Sequence, residues 1–255
     1  MWRVRDRLLL DRILEPGALS VVFQPVVEEP GRGVHYLEAL IRGPQGTSAE
    51  SPDVLFEYAR RKHATASVDR ACVGAILADA RRLPASVRLG LNVHASTLAL
   101  DLEFLNYLGD AASINGIDPE RLIVEIVEHA PPWDVKAFRA GLDGLRAIGA
   151  RIALDDVGLG HSNFMMILEC RPHYFKIDSY FVRGSHVDFY RQAVLASVAR
   201  LAQPFGAQVV AEGVESRGDL AAVHEAGIGL VQGFLLSPAR PVADFAALEP
   251  EAWGD

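Results

Sequence analysis

Eight short runs rich in Val, Ile and Leu, most of them separated by stretches of helical period, constrain this chain more than any other feature of it. The runs are SVVFQPVV (20–27), VHYLEALIR (34–42), VRLGLNV (87–93), RLIVEIV (121–127), RIALD (151–155), HYFKID (173–178), QVVAEG (208–213) and GLVQGFLL (229–236). Apolar runs of this length suit strands buried on both faces, as in parallel sheets covered by helices. Between them, Val135, Phe138, Leu142, Leu145 and Ile148 have the spacing of one helix face, which predicts a helix over 134–149. Asp134 can cap its start and Gly149 follows its end. Ser216 with Asp219 predicts a capping box before the last run. Eight strands, the later ones each followed by a helix, in 255 residues predict an α/β chain folded as one TIM-like (β/α)8 barrel. The first two runs are joined only by EEPGRG, too short for a crossover. The first strand is therefore expected to be antiparallel to the second, and the barrel irregular at its start. The barrel is placed at 20–245, with a helical lead-in over 1–19 and a tail over 246–255.

Composition excludes several classes. The chain is 50% hydrophobic and 23% charged, enough apolar surface for a packed globule, not a disordered one. With 25 basic and 33 acidic residues the net charge is −8, and no basic stripe offers a footprint for a DNA or RNA polymer. The longest uncharged stretch, Ala226 to Ala239, is too short and too polar for a membrane span. The N-terminus, MWRVRDRLLLDR, has no signal-peptide core, so a cytoplasmic location is expected. Cys72 and Cys170 share no CxxC spacing and read as two buried thiols.

The polar residues within the runs are the next signal. In a barrel strand alternate residues face the interior. Steps of two put Gln24 in register with Val22 and Val26, and place Glu38 and Arg42 on one face. Asn92 follows Gly90, Glu125 follows Ile123, Asp155 follows Ala153, Lys176 follows Tyr174, and Glu212 follows Val210. Each polar group lies late in its strand, at the C-terminal mouth where barrel active sites form. Taken singly, each has a plainer reading. A lone acid at a strand end is more often a cap or a solvated residue, a lone lysine snorkels outward, and Glu38 with Arg42 is one salt bridge. The coincidence across seven strands weighs against those readings. Four of the groups, Glu38, Glu125, Asp155 and Glu212, are hard oxygen acids that cannot all stay ionised together without cations, Mg²⁺ or Mn²⁺ by donor type.

The string YLEALIR (36–42) resembles the signature of the EAL family of bacterial cyclic-di-GMP phosphodiesterases. FQPVV (23–27), LNVHAST (91–97), VEIVEHA (124–130), LDDVGLGHSN (154–163), FKID (175–178), VVAEGVES (209–216) and VQGFLLSP (231–238) follow in the family's order. The resemblance implies metal ligation by Glu38, Asn92, Glu125 and Asp155, with Asp156 and Glu212 completing a site for two cations, Mg²⁺ or Mn²⁺. It implies that Lys176 holds or orients the attacking water, that Glu38 and Glu212 share in the catalytic set, and that Gln24 and Arg42 grip the dinucleotide. Gln232 would sit near the water, Glu128 would brace the loop after Asp156, and Glu215 would support the site. The expected activity is hydrolysis of cyclic di-GMP to linear pGpG, in a homodimer open to control by a regulatory partner protein.

The chain departs from the family at that loop, which usually reads close to DFGTGYSSL and here reads DVGLGHSNF. Val157, Leu159 and His161 replace Phe, Thr and Tyr, so the loop is expected to hold the second cation less firmly. His94 stands where the family often has Ser and is expected to pack or support rather than ligate. Two other functions compete. A catalytically silent cyclic-di-GMP receptor would be expected to lose ligands or the lysine, and none is lost. A glycosidase-like barrel using two carboxylates leaves Lys176 and Asn92 without a purpose.

Overall fold

The computed structural model describes residues 9–31, 33–127, 134–159 and 164–246. Its eight strands are β1 (Ser20–Glu28), β2 (Gly33–Arg42), β3 (Leu89–His94), β4 (Leu122–Val127), β5 (Arg151–Val157), β6 (Tyr174–Ile177), β7 (Gln208–Ala211) and β8 (Leu230–Val231). They close into a barrel in chain order. β1 runs antiparallel to both neighbours, β2 and β8, while every other pair is parallel. The short first connection thus has the consequence expected of it.

The helices cover the outside. Residues 9–14 are helical (α1), followed by α2 (Pro52–Arg61), α3 (Thr65–Ala80), α4 (Ala95–Leu100), α5 (Phe104–Ile114) and α6 (Val135–Ala147). After them come α7 (Phe164–Cys170), α8 (Ser179–Val182), α9 (Phe189–Ala202), α10 (Arg217–Glu225) and α11 (Val242–Ala246). α6 forms where its apolar spacing put it. The Asp134 carboxylate accepts from the Ala137 amide at 2.9 Å, and Gly149 takes a φ of +86° just beyond the end. Ser216 accepts from the Asp219 amide at 3.0 Å and opens α10. Cys72 and Cys170 are both buried and neither is in a disulfide. Among the described residues no helix is long and apolar enough to cross a membrane.

Two apolar layers result. The larger packs the outer faces of the strands against the helices and includes Phe23, Leu37, Leu91, Val124, Leu154 and Phe175. The smaller fills the barrel axis with Val26, Tyr36, Ile123, Ala153, Tyr174, Val210 and Leu230. Six of these seven stand two residues before a polar group on the parallel strands or β2, and Val26 stands two after Gln24 on the reversed β1. The barrel is therefore plugged below and polar above.

The last run departs from expectation. Only Leu230 and Val231 pair as strand, and Gly233 onward turns away. The Val214 amide donates to the Gln232 carbonyl at 3.0 Å, and the Leu235 amide donates to the Val214 carbonyl at 3.1 Å, so the chain folds over residue 214. A Cβ on Gly233 would lie 2.1 Å from the Val214 oxygen and 2.3 Å from its nitrogen. Because those are backbone atoms, Gly233→Ala is expected to destabilise the protein by about 1–3 kcal/mol. A lower urea midpoint at unchanged slope would show it, and an unchanged midpoint would contradict the close approach.

Candidate active site

Each strand delivers its polar residue to the same mouth because the interior positions alternate. The shear of the barrel sets what lies beside each group. Glu38 of β2 registers with Gly90 of β3, and Glu125 of β4 registers with Ala153 of β5. Gly90 offers no bulk where the Glu125 carboxylate of the next strand must fit, since a Cβ there would lie 2.3 Å from its Oε1.

Lys176 stands at the centre, 1% exposed. Its Nζ donates to Glu125 Oε2, and lies 2.8 Å from Glu212 Oε1, 3.1 Å from Asp155 Oδ1 and 3.3 Å from Glu38 Oε2. The lysine thus points inward among acids and does not snorkel. Asn92 Nδ2 donates to Glu38 Oε1 at 3.1 Å, and Gln232 Nε2 donates to Glu38 Oε2 at 2.9 Å. Gln24, directly opposite Glu38 across β1 and β2, accepts from Gln232 at 3.3 Å and donates to the Ser237 carbonyl at 3.0 Å. Asp156 adopts a φ of +52°, a left-handed conformation that Asp tolerates better than most residues and that is enriched at functional sites. Oxygens of Asp155, Asp156 and Glu212 lie within 4.8 Å of one another.

The charges of this mouth do not balance. Five carboxylates face one ammonium. Burial would lower the Lys176 pKa, but Asp155, Glu125, Glu212 and Glu38 together hold it well above the usual range. Burial also raises Glu38, yet Lys176 and the donors Gln232 and Asn92 outweigh it and leave that acid below its ordinary value. For Glu125 and Glu212 burial wins, and both rise well above the carboxylate range, aided by neighbouring acids. Asp156 is pushed up to about 6 by desolvation, then by Asp155 and Asp178. One lysine therefore stabilises only part of this set as anions. The remainder form an oxygen-only donor group short of positive charge, which fits a hard divalent cation.

Not every residue singled out in the sequence joins this cluster. Arg42 ends β2 with its guanidinium on the Ile41 carbonyl at 2.9 Å. Glu215 pairs with Arg183 at 2.7 Å on the rim. His94 is turned away onto α3, where Asp69 accepts from its amide at 3.0 Å and meets its Nδ1 at 2.9 Å, and its ring packs beside Phe56. Leu159 borders an apolar groove with Phe164 and Ile167. Glu128 and His161 lie outside the described residues, as does the whole of the loop from 160 to 163. Arg183 was not foreseen. It borders the same recess as Gln24, Glu38, Glu212 and Phe234, but it stands beyond the end of β6, where strand alternation gives no signal.

Comparison with known proteins adds an independent line. The family model described as the EAL domain matches residues 7–239. The chain belongs to the EAL domain family. This EAL domain is 27% identical over 243 residues to a probable cyclic di-GMP phosphodiesterase of Escherichia coli, PdeA, covering 93% of this chain and 33% of that protein. It therefore spans about a third of that relative's length. Among solved structures it resembles Klebsiella pneumoniae BlrP1 in a calcium and cyclic-di-GMP complex, with a TM-score of 0.79, 28% identity, and coverage of 94% of this chain and 65% of that one. A manganese and cyclic-di-GMP complex of BlrP1 gives a TM-score of 0.79 at 30% identity, covering 89% and 57%.

Proposed function

We propose that this EAL domain is a metal-dependent phosphodiesterase that hydrolyses cyclic di-GMP to linear pGpG. The observation that carries the reading is the set of Glu38, Asn92, Glu125, Asp155, Asp156, Lys176 and Glu212 converging on one mouth with an uncompensated negative charge. Names of relatives support the same substrate.

Glu38, Asn92, Glu125, Asp155, Asp156 and Glu212 would hold two cations, Mg²⁺ or Mn²⁺. Such cations supply Lewis acidity, lowering the pKa of water and stabilising the attacking and leaving oxygens of an in-line displacement. With the Asn92 amide nitrogen spent on Glu38, its carbonyl oxygen is the end left to ligate. Lys176, fixed by carboxylates on several sides, would orient the attacking water. That water's oxygen bonds to phosphorus, the bond to the 3′ oxygen breaks, and a proton passes to the leaving oxygen. Gln24, Gln232 and Arg42 would bind the dinucleotide, with Arg42 exchanging its carbonyl partner for a phosphate. Glu128 and Glu215 complete the proposal as supports of the loop and rim. The barrel over 20–245 would be the working unit, with 1–19 as lead-in and 246–255 as tail. A cytoplasmic location, a second copy of the chain and a regulatory partner also belong to the proposal. Exposed Phe164, Leu168 and Tyr190 support the second copy.

The deciding assay is purified protein with Mg²⁺ or Mn²⁺ and cyclic di-GMP, followed by chromatography. Formation of pGpG that stops with EDTA and returns with either metal is the expected result. Tight nucleotide binding without pGpG would replace the enzyme with the silent receptor.

A pH effect follows from the raised acids. Mn²⁺ binding is expected to release protons, the more so as pH falls from about 8 toward 6, because Glu125, Glu212 and Asp156 are pushed toward their protonated forms in the metal-free protein. By the same linkage, the unfolded chain gives up the Asp156 proton near 3.8 and the folded one near 6. Stability of the metal-free protein should therefore fall as pH rises across that window, and then level off for this group. Calorimetry in two buffers of different ionisation heat measures the release, and equal heats would contradict it.

A further inference from the structure

Beneath the mouth, the Tyr36 hydroxyl and one oxygen of the proposed ligand Glu125 are buried without a hydrogen-bond partner. Tyr36 is 0% exposed in the axial layer of the barrel, and its hydroxyl has no hydrogen-bond partner. Glu125 is also 0% exposed, and while its Oε2 takes the lysine, its Oε1 has no hydrogen-bond partner. Both residues flank one point. A methyl group added to Gly90 would sit 2.3 Å from Glu125 Oε1 and 3.0 Å from Tyr36 Cε2. The other phenol of this layer behaves differently. The Tyr174 hydroxyl accepts from Arg151 at 2.9 Å and meets His35 Nε2 at 3.1 Å. Orphaned polar atoms this deep are rare, an internal water is their usual partner, and after burial the Glu125 carboxylate is the strongest influence raising the pKa of the Tyr36 hydroxyl.

We propose that one buried water bridges the Tyr36 hydroxyl and Glu125 Oε1, and that Tyr36 is thereby a positioning residue for Glu125. The phenol donates to the water and the water donates to the carboxylate. Glu125 is then held on two sides, by Lys176 at one oxygen and by Tyr36 through the water at the other. Its rotation is locked before a cation arrives. Gly90 is required because any side chain there would collide with Glu125 Oε1 and the Tyr36 ring. The inference rests on the proposed metal chemistry and adds a residue on which that proposal is silent. Groups that orient a metal ligand typically matter by about 10–100-fold in metal affinity, and a water-mediated contact belongs at the lower end.

The test is Mn²⁺ titration without nucleotide, read by calorimetry, on the wild type, Tyr36→Phe and Tyr174→Phe, with thermal unfolding of the metal-free forms. Tyr36→Phe keeps the ring and removes only the hydroxyl. The expected result is Mn²⁺ binding weakened about tenfold at an unchanged or higher unfolding temperature, with Tyr174→Phe close to wild type in Mn²⁺ affinity. Unchanged affinity in Tyr36→Phe would overturn the proposal, as would equal losses in both variants. A crystal structure of the metal-free protein is the second arm, independent of how the variants fold. A water within hydrogen-bond distance of both oxygens supports the bridge, and its absence overturns it. A wild type that binds no Mn²⁺ would overturn the metal-dependent reading itself, and this inference with it.

Discussion

Lys176→Met should lose about 10²-fold or more in turnover while still binding Mn²⁺ at least as tightly as the wild type. The ammonium lies within 3.3 Å of Glu38 and Asp155 and closer still to Glu212 and Glu125. Removing it leaves nothing to orient a water, but it also removes a cation that competes for the same oxygens. The metal-free variant should be destabilised by about 3–5 kcal/mol, the usual consequence of breaking a buried charge pair from one side. The loss should be larger at pH 8 than at pH 5, since the abandoned carboxylates can take up protons at the lower pH. Added Mn²⁺ should restore most of it. Thermal unfolding with and without Mn²⁺ at both pH values, together with single-turnover kinetics, tests the set. A variant that binds Mn²⁺ much more weakly than the wild type would show that Lys176 shapes the metal site, not the water.

Glu38→Ala should fail in the opposite way. Its two oxygens accept from Asn92, Gln232 and Lys176, so one truncation removes a hard ligand and frees three donors. Mn²⁺ affinity should fall by more than the roughly 10–100-fold typical of losing a group that only orients a ligand, and turnover should fall with it. Saturating Mn²⁺ should recover part of the rate in Glu38→Ala and none in Lys176→Met. Equal losses of Mn²⁺ binding in the two variants would contradict the separate roles.

The alternation of the strands made most of this mouth legible. Glu38, Asn92, Glu125, Asp155, Lys176 and Glu212 each stand two residues beyond a small or apolar neighbour, and that step of two is a covalent property of extended backbone. It holds whatever the strand pairs with. The antiparallel first strand was legible for a similar reason, since six residues cannot make a crossover. The plug beneath was readable too, as the residues two places earlier.

What alternation does not report is where polar atoms end up once strands are staggered. Arg42 shares a face with Glu38, yet its guanidinium turns to the Ile41 carbonyl. His94 continues the step from Asn92, yet Asp69 on α3 captures it, a contact between residues 25 apart in sequence. Glu215 is spent on Arg183, a side chain beyond the reach of any strand rule.

The sequence by itself therefore determined the barrel, the face on which each acid lies and the excess of acids over lysine, because these follow from local geometry and charge number. Only the tertiary structure decided that Gly90 and Ala153 stand beside the acids of neighbouring strands, that β8 stops after two residues against Val214, and that the Tyr36 hydroxyl and Glu125 Oε1 are buried without partners. Those facts depend on the shear between strands, and shear is a property of the closed barrel, which no single strand carries.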